Sequence, residues 1–197
     1  LKMEHYYSQQ PSSKLEVKEV NIELFGRKLK FLTPSGVYSY GKIDNGSFLL
    51  VSKCQVNTSD KVLDMGCGYG LIGITLLKLG FEVTFTDINE RAVKFCKKNL
   101  AANDVSSSGV FKGNLYEPIN DKFDTILSNP PFHAGRQVCY EIIEKAPLYL
   151  NDSGSLQIVA RHKRGGEMLE KKMKEVFGNV ETLAKKGGFR IYKSVKD

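Results

Sequence analysis

The stretch Lys61 to Leu79, KVLDMGCGYGLIGITLLKL, limits the possible folds of this chain more than any other. KVLDM reads as a short buried strand, and LIGITLLKL as a helix of roughly Leu71 to Leu79. Between them stand Gly66, Gly68 and Gly70, which lack a Cβ, accept positive φ and let the backbone turn sharply while a ligand approaches closely. A strand that runs through glycines straight into a helix is half of a crossover unit, so the next segment is expected to return as a parallel strand.

The flanking sequence keeps that rhythm. FEVTFTD, Phe81 to Asp87, reads as a second strand, and Asn89 opens a helix whose Ala92, Val93, Cys96 and Leu100 recur at helical spacing. GVFKGN, FDTILS and SLQIVAR supply three more strands, alternating with the helical RQVCYEIIEKAPLYL and GEMLEKKMKEVFG. NVETLAKKGGFRIYKS closes as an antiparallel hairpin around Gly187 and Gly188. Upstream, Glu16 to Thr33 alternates as a hairpin about Phe25, Gly26 and Arg27, and Asp44 can cap a helix over SFLLVSKC.

The fold class expected is α/β: a doubly wound, mostly parallel seven-stranded sheet with an N-terminal β-hairpin extension. One domain is expected over 1–197, with 1–44 as extension and 45–197 as catalytic core. Right-handed crossovers then place ligands at the carboxyl ends of the strands.

Two features lie at that edge. Asp64 lies inside the end of the first strand, two residues before Gly66, where a carboxylate suits a cationic amino-acid group better than a pyrophosphate. Gly68, Gly70 and Gly73 also satisfy the dinucleotide pattern GxGxxG, so a nicotinamide cofactor stays open at this point. Asp87 ends the next strand about twenty residues on, where an acid accepts hydrogen bonds from ribose hydroxyls; a charge complementing the helix that follows would look the same.

The second feature is SNPPFHAG, Ser128 to Gly135, directly after FDTIL. Pro130 and Pro131 fix two φ angles and remove two N–H donors, which leaves the carbonyls of Asn129 and Pro130 without a local ladder. With the Asn129 side-chain oxygen they form a stiff rack of acceptors for both hydrogens of a flat NH2 group, and Phe132 offers a face for stacking. Two acceptors so placed draw the hydrogens of an aryl amine toward a geometry that frees its lone pair for attack, with no strong base needed.

VLDMGCGYG, the acid of FTDIN and SNPPFHAG, in this order, resemble a class I S-adenosylmethionine-dependent methyltransferase. NPPFHAG is similar to the small-domain family of ribosomal RNA guanine-N2 methyltransferases, single-domain members of archaeal type looking closest, and FLTPSGVYSYGKIDNGSFLL resembles that family's lead-in to the first core strand. The resemblance implies that Asp64, Gly66 and Gly68 surround the methionine part of S-adenosylmethionine, Asp87 its ribose, and Asn114 with Leu115 its adenine. Asn129 would lie beside the cofactor, and with Pro130 and Phe132 would grip the target amine as the catalytic set. Pro131, His133 and Arg136 would face the substrate. Asn114 departs from the usual Asp and keeps an acceptor oxygen without the charge.

The implied substrate is an exocyclic amine of an RNA base, guanine N2 of ribosomal RNA foremost, unpaired or flipped out of its duplex. Similar NPP-aromatic segments occur in adenine-N6 and protein glutamine-amide methyltransferases, so both stay as alternatives, with a noncatalytic RNA-binding protein and a nicotinamide-dependent oxidoreductase behind them. Some relatives carry a second, degenerate copy of the domain; a homodimer or the N-terminal hairpin is expected to stand in for it.

Charge and cysteines bound the rest. Lys and Arg number 29 against 22 Asp and Glu, a formal net charge of +7 that suits a polyanionic partner. RHKR, Arg161 to Arg164, leaves a strand at the same edge as NPPF, where it would meet phosphates. The four cysteines form no CxxC pair and no His stands at metal-ligand spacing, so neither a metal nor a disulfide framework is expected. The longest apolar segment is broken by Gly73 and Lys78, and LKMEHYYSQQ has no apolar run, so the expected setting is the reducing cytoplasm with no membrane partner.

Overall fold

A computed structural model describes residues 14–197; the LKMEHYYSQQ segment lies outside them. β1 (Val17–Leu24) and β2 (Arg27–Pro34) form the expected antiparallel hairpin, with Leu24 opposite Arg27. Phe25 and Gly26 both hold positive φ, 52° and 69°, the twist that two-residue hairpin turns require.

After α1 (Asn45–Lys53) comes the alternating core: β3 (Lys61–Met65), α2 (Leu71–Lys78), β4 (Glu82–Asp87), α3 (Glu90–Ala102), β5 (Gly109–Lys112), β6 (Phe123–Ser128), α4 (Arg136–Tyr149), β7 (Leu150–Arg161), α5 (Gly166–Phe177), β8 (Glu181–Lys186) and β9 (Phe189–Val195). The sheet runs in the order β5-β4-β3-β6-β7-β9-β8. β5, β4, β3, β6 and β7 are parallel, whereas β9 pairs antiparallel with both β7 and β8. The chain leaves β3 in one direction to build β4 and β5, then crosses back to lay β6 on the other side of β3. The switch point, and hence the ligand crevice of such a sheet, lies between the carboxyl ends of β3 and β6.

Side-chain alternation along the strands feeds two cores. Val62, Val83, Phe85, Leu127 and Val159 face α1, α2, α3 and the hairpin, while Leu63, Met65, Ile126, Leu156 and Ile158 face α4 and α5. Gly73 in α2 is a packing glycine: a Cβ there would stand 2.2 Å from Cε1 of Phe85.

The hairpin is fastened to the core by two asparagines one turn apart, Asn99 on α3 and Asn103 at its C-terminal cap. Asn99 accepts from Leu32 N at 2.8 Å and donates to Leu32 O at 3.0 Å; Asn103 accepts from Lys30 N at 3.0 Å and donates to Lys30 O at 2.7 Å. Asn99 also donates to Tyr69 O at 2.8 Å, tying the hairpin to the glycine turn after β3. The free edge of β2 thus pairs with a helix's side chains instead of another strand, which satisfies backbone groups that burial would otherwise orphan. Among the described residues no helix is long and apolar enough to cross a membrane.

Candidate active site

Two adjoining cavities open at the switch point. The larger, about 570 Å³, is walled by Tyr38, Asp44 and Ser47 before the core, by Gly66 to Tyr69 after β3, and by Asn129 to His133 after β6. Arg161, Arg164 and Phe189 close its far side. The smaller, about 20 Å³, is lined by Asp87, Gly113 and Leu115 and shares Gly66, Asn129 and Pro131 with the larger.

The glycine turn is held from behind. Asp64 points to the same face as Val62, toward α2, where its Oδ2 accepts from Gly73 N at 2.9 Å. It lines neither cavity and supports the turn from behind. Its Oδ1 is the one buried side-chain oxygen or nitrogen without a partner among the described residues. Burial pushes this carboxyl up to about 7, with the nearby Asp87 charge adding and the Gly73 N–H opposing. Gly66 holds φ 72° with open space where a Cβ would stand, so its backbone faces the cavities bare.

Asp87 lies at the end of β4 and is almost wholly buried. Its Oδ2 accepts from Gly68 N at 2.8 Å and its Oδ1 from Asn89 N at 2.8 Å, joining the glycine turn to the cap of α3. Asp87 also lines the smaller cavity. Leu115, at φ 51°, lines that cavity too. Asn114 does not; its Nδ2 donates to Glu117 Oε1 at 3.4 Å along the turn. Cys67 lines the larger cavity, yet burial, reinforced by Cys96 and the two carboxylates, raises its thiol well above the ordinary value, which leaves no thiolate nucleophile.

Pro130 departs from expectation. Its carbonyl accepts from Phe132 N at 2.9 Å, because Pro131 at φ −79°, ψ 79° makes an inverse γ-turn leading into the 3-10 turn Phe132–Ala134. One lone pair is therefore used locally and one is left. The Asn129 side chain is held firmly: its Nδ2 donates to Asp44 Oδ2 at 2.8 Å and to Ser47 Oγ at 2.9 Å. Both amide hydrogens are engaged, and no described group donates to the amide oxygen.

Phe132 lines the larger cavity, and its ring rests on Gly165, where a Cβ would come within 2.8 Å of Cε1. His133 lines the rim and is exposed. Arg136 begins α4, exposed and outside the cavity lining, because the 3-10 turn carries the chain away before it. Of the RHKR cluster, Arg161 and Arg164 reach the cavity, the Arg161 guanidinium lying 4.4 Å from the centre of the Phe189 ring.

The sequence reading missed Tyr38, Ser47 and Phe189 as cavity residues and took Asp44 for a helix cap alone. A cap three residues ahead of Ser47 was visible as a signal, but not its second partner across the sheet.

Residues 28–193 match the methyltransferase small domain. The chain belongs to that family. Comparable in length is the uncharacterized protein YbxB of Bacillus subtilis (strain 168), 35% identical over 98% of both chains. The ribosomal RNA small subunit methyltransferase C of Erwinia tasmaniensis is 38% identical over 86% of this chain and 50% of its own, so this methyltransferase domain spans about half that relative's length. The T. thermophilus 16S rRNA N2 G1207 methyltransferase (RsmC), solved in complex with AdoMet and guanosine, superposes with a TM-score of 0.82 at 26% identity, covering 95% of this chain and 52% of that one.

Proposed function

We propose that this chain transfers the methyl group of S-adenosylmethionine to the exocyclic N2 of a guanine in ribosomal RNA, in the cytoplasm. The observation that carries the proposal is the Asn129 amide, whose hydrogens are both engaged by Asp44 and Ser47 and whose oxygen is left as an acceptor beside Phe132. The likeness to an RsmC structure holding AdoMet and guanosine supports it.

The residues present fit the cofactor. Gly66 lines both cavities and leaves its backbone open to them, room that a ligand's amino-acid portion can fill. Gly66 and Gly68 would hold the methionine part, Asp87 the ribose and Leu115 the adenine, the last requiring the Gly113–Leu115 wall to yield because the smaller cavity is only about 20 Å³. When bound, S-adenosylmethionine supplies an electrophilic methyl group on its sulfonium.

The remaining work belongs to the protein. Asn129 Oδ1 and the second lone pair of Pro130 O accept the two hydrogens of the target amine and align its lone pair; the nitrogen, cationic once it carries the methyl group, releases one of those hydrogens to solvent as a proton. Alignment of this kind accounts for up to about 7–11 kcal/mol of a barrier. Phe132, backed by Gly165, stacks on the base, which must leave its helix to reach it. Lys42, Arg161 and Arg164 give the cavity wall a positive field, with Asp44 its sole carboxylate and already engaged. That field supports RNA over a glutamine carboxamide, which would suit the same amide clamp. The four cysteines are free thiols, in keeping with a reducing compartment.

Incubation with tritiated S-adenosylmethionine and either ribosomal RNA or ribosomal protein tests the reading. Label is expected in RNA as N2-methylguanosine, and Asn129→Ala should lower transfer at least ~100-fold while binding S-adenosylhomocysteine as the wild type does. Label confined to protein would overturn it.

A further inference from the structure

Asn129 can face the cavity in two senses, related by a half-turn of its amide. One presents an oxygen, which accepts from a target NH2; the other presents an NH2, which repels it. Nothing in NPPF itself selects between them. The choice is made 85 residues away in the sequence, by Asp44.

An ionised carboxylate only accepts hydrogen bonds, so the group facing Asp44 Oδ2 at 2.8 Å must be the Asn129 NH2. Asp44 is itself locked. Its Oδ1 accepts from Tyr38 Oη at 2.8 Å, and its Oδ2 also accepts from Ser47 N at 2.6 Å, which caps α1. Ser47 Oγ takes the second amide hydrogen at 2.9 Å. Helix cap and amide clamp thus share one carboxylate, and the first turn of α1 becomes a jig for the residue that grips the substrate.

We infer that Asp44, with Ser47, is a positioning residue that sets the sense of the Asn129 amide, so that the cavity always presents an acceptor. This deepens the methyl-transfer reading and rests on it, but the orientation itself can be read without turnover.

Asp44→Ser separates the two roles, since a serine still caps α1 through Ser47 N but is too short to reach Asn129. Protein labelled with 15N-asparagine would show the Asn129 side-chain amide protons exchanging slowly in the wild type and rapidly in Asp44→Ser. The kcat should fall about 10- to 100-fold, with S-adenosylhomocysteine affinity and melting temperature close to wild type. Asp44→Asn, whose side-chain oxygen must take the place of Oδ2 to cap Ser47 N and so still faces the Asn129 NH2, should keep slow exchange and most of kcat. Ser47→Ala, which keeps the Asp44 carboxylate, should release one amide proton only.

Equal exchange in wild type and Asp44→Ser, or an unchanged kcat, would overturn the inference. Should Asp44→Ser not fold, exchange in Ser47→Ala decides, and slow exchange of both protons there would count against the clamp. A wild type that methylates no RNA yet shows Asp44-dependent protection would sink the substrate reading and leave the clamp standing.

Discussion

Gly165 shows how narrowly single residues are constrained around the site. It holds φ 102°, a region unfriendly to side chains, and a Cβ would press within 2.8 Å of the Phe132 ring. Gly165→Ala should therefore cost about 1–3 kcal/mol and tilt Phe132 into the cavity. RNA KM should rise while S-adenosylhomocysteine affinity holds, as steady-state kinetics and calorimetry would show. Asp64 gives a pH signature instead. Burial raises its carboxyl from an ordinary 3.8 to about 7, so between those values the folded protein keeps a proton that the unfolded chain has lost. Stability should fall as pH rises through that window, by at most roughly 1.4 kcal/mol per pH unit, and level off above it. Urea denaturation at pH 5, 6 and 7.5 should show this slope in the wild type and not in Asp64→Asn. Asp64 sits in a motif plain in the sequence, but only its neighbours reveal that it supports the turn from behind instead of lining the cavity.

At the scale of elements, the strands and helices around the site follow from local patterns: alternation in β4, 3.6-residue spacing in α3, glycines at the turn after β3. What holds the hairpin did not follow. Asn99 and Asn103 look like ordinary polar positions of an amphipathic helix, yet both are almost fully buried and replace a neighbouring strand for β2. Asn99→Ala should cost about 3 kcal/mol, because it strands the N–H and carbonyl of Leu32 and the carbonyl of Tyr69 together. Denaturant titration would measure the loss, and faster amide exchange at Leu32 would locate it. The extra turn after Pro131 was likewise illegible: two prolines promise a stiff exit but do not say that Phe132 N will return to Pro130 O.

For the whole molecule, a formal charge of +7 says little until its distribution is known. Lys94, Lys97 and Lys98 are exposed on α3, and none lines the cavity, whereas Arg161 and Arg164 do. Replacing both arginines with Gln should reduce the slope of log K against log salt for single-stranded RNA by about 1.4. The same change at Lys94 and Lys97 should alter it little, which filter-binding across a salt series would check. From residues alone came the α/β class, the hairpins at both ends, the strand-end acid and glycines, and the placing of NPPF at the strands' carboxyl edge, because periodicity, proline and glycine act over a few positions. Tertiary structure alone decided that Asn129 bonds Asp44, that Arg161 and Arg164 line the cavity while Arg136 does not, and that Asn114 stays outside both linings. Those facts depend on the order in which strands cross and the direction each loop leaves the sheet, which no short stretch of chain encodes.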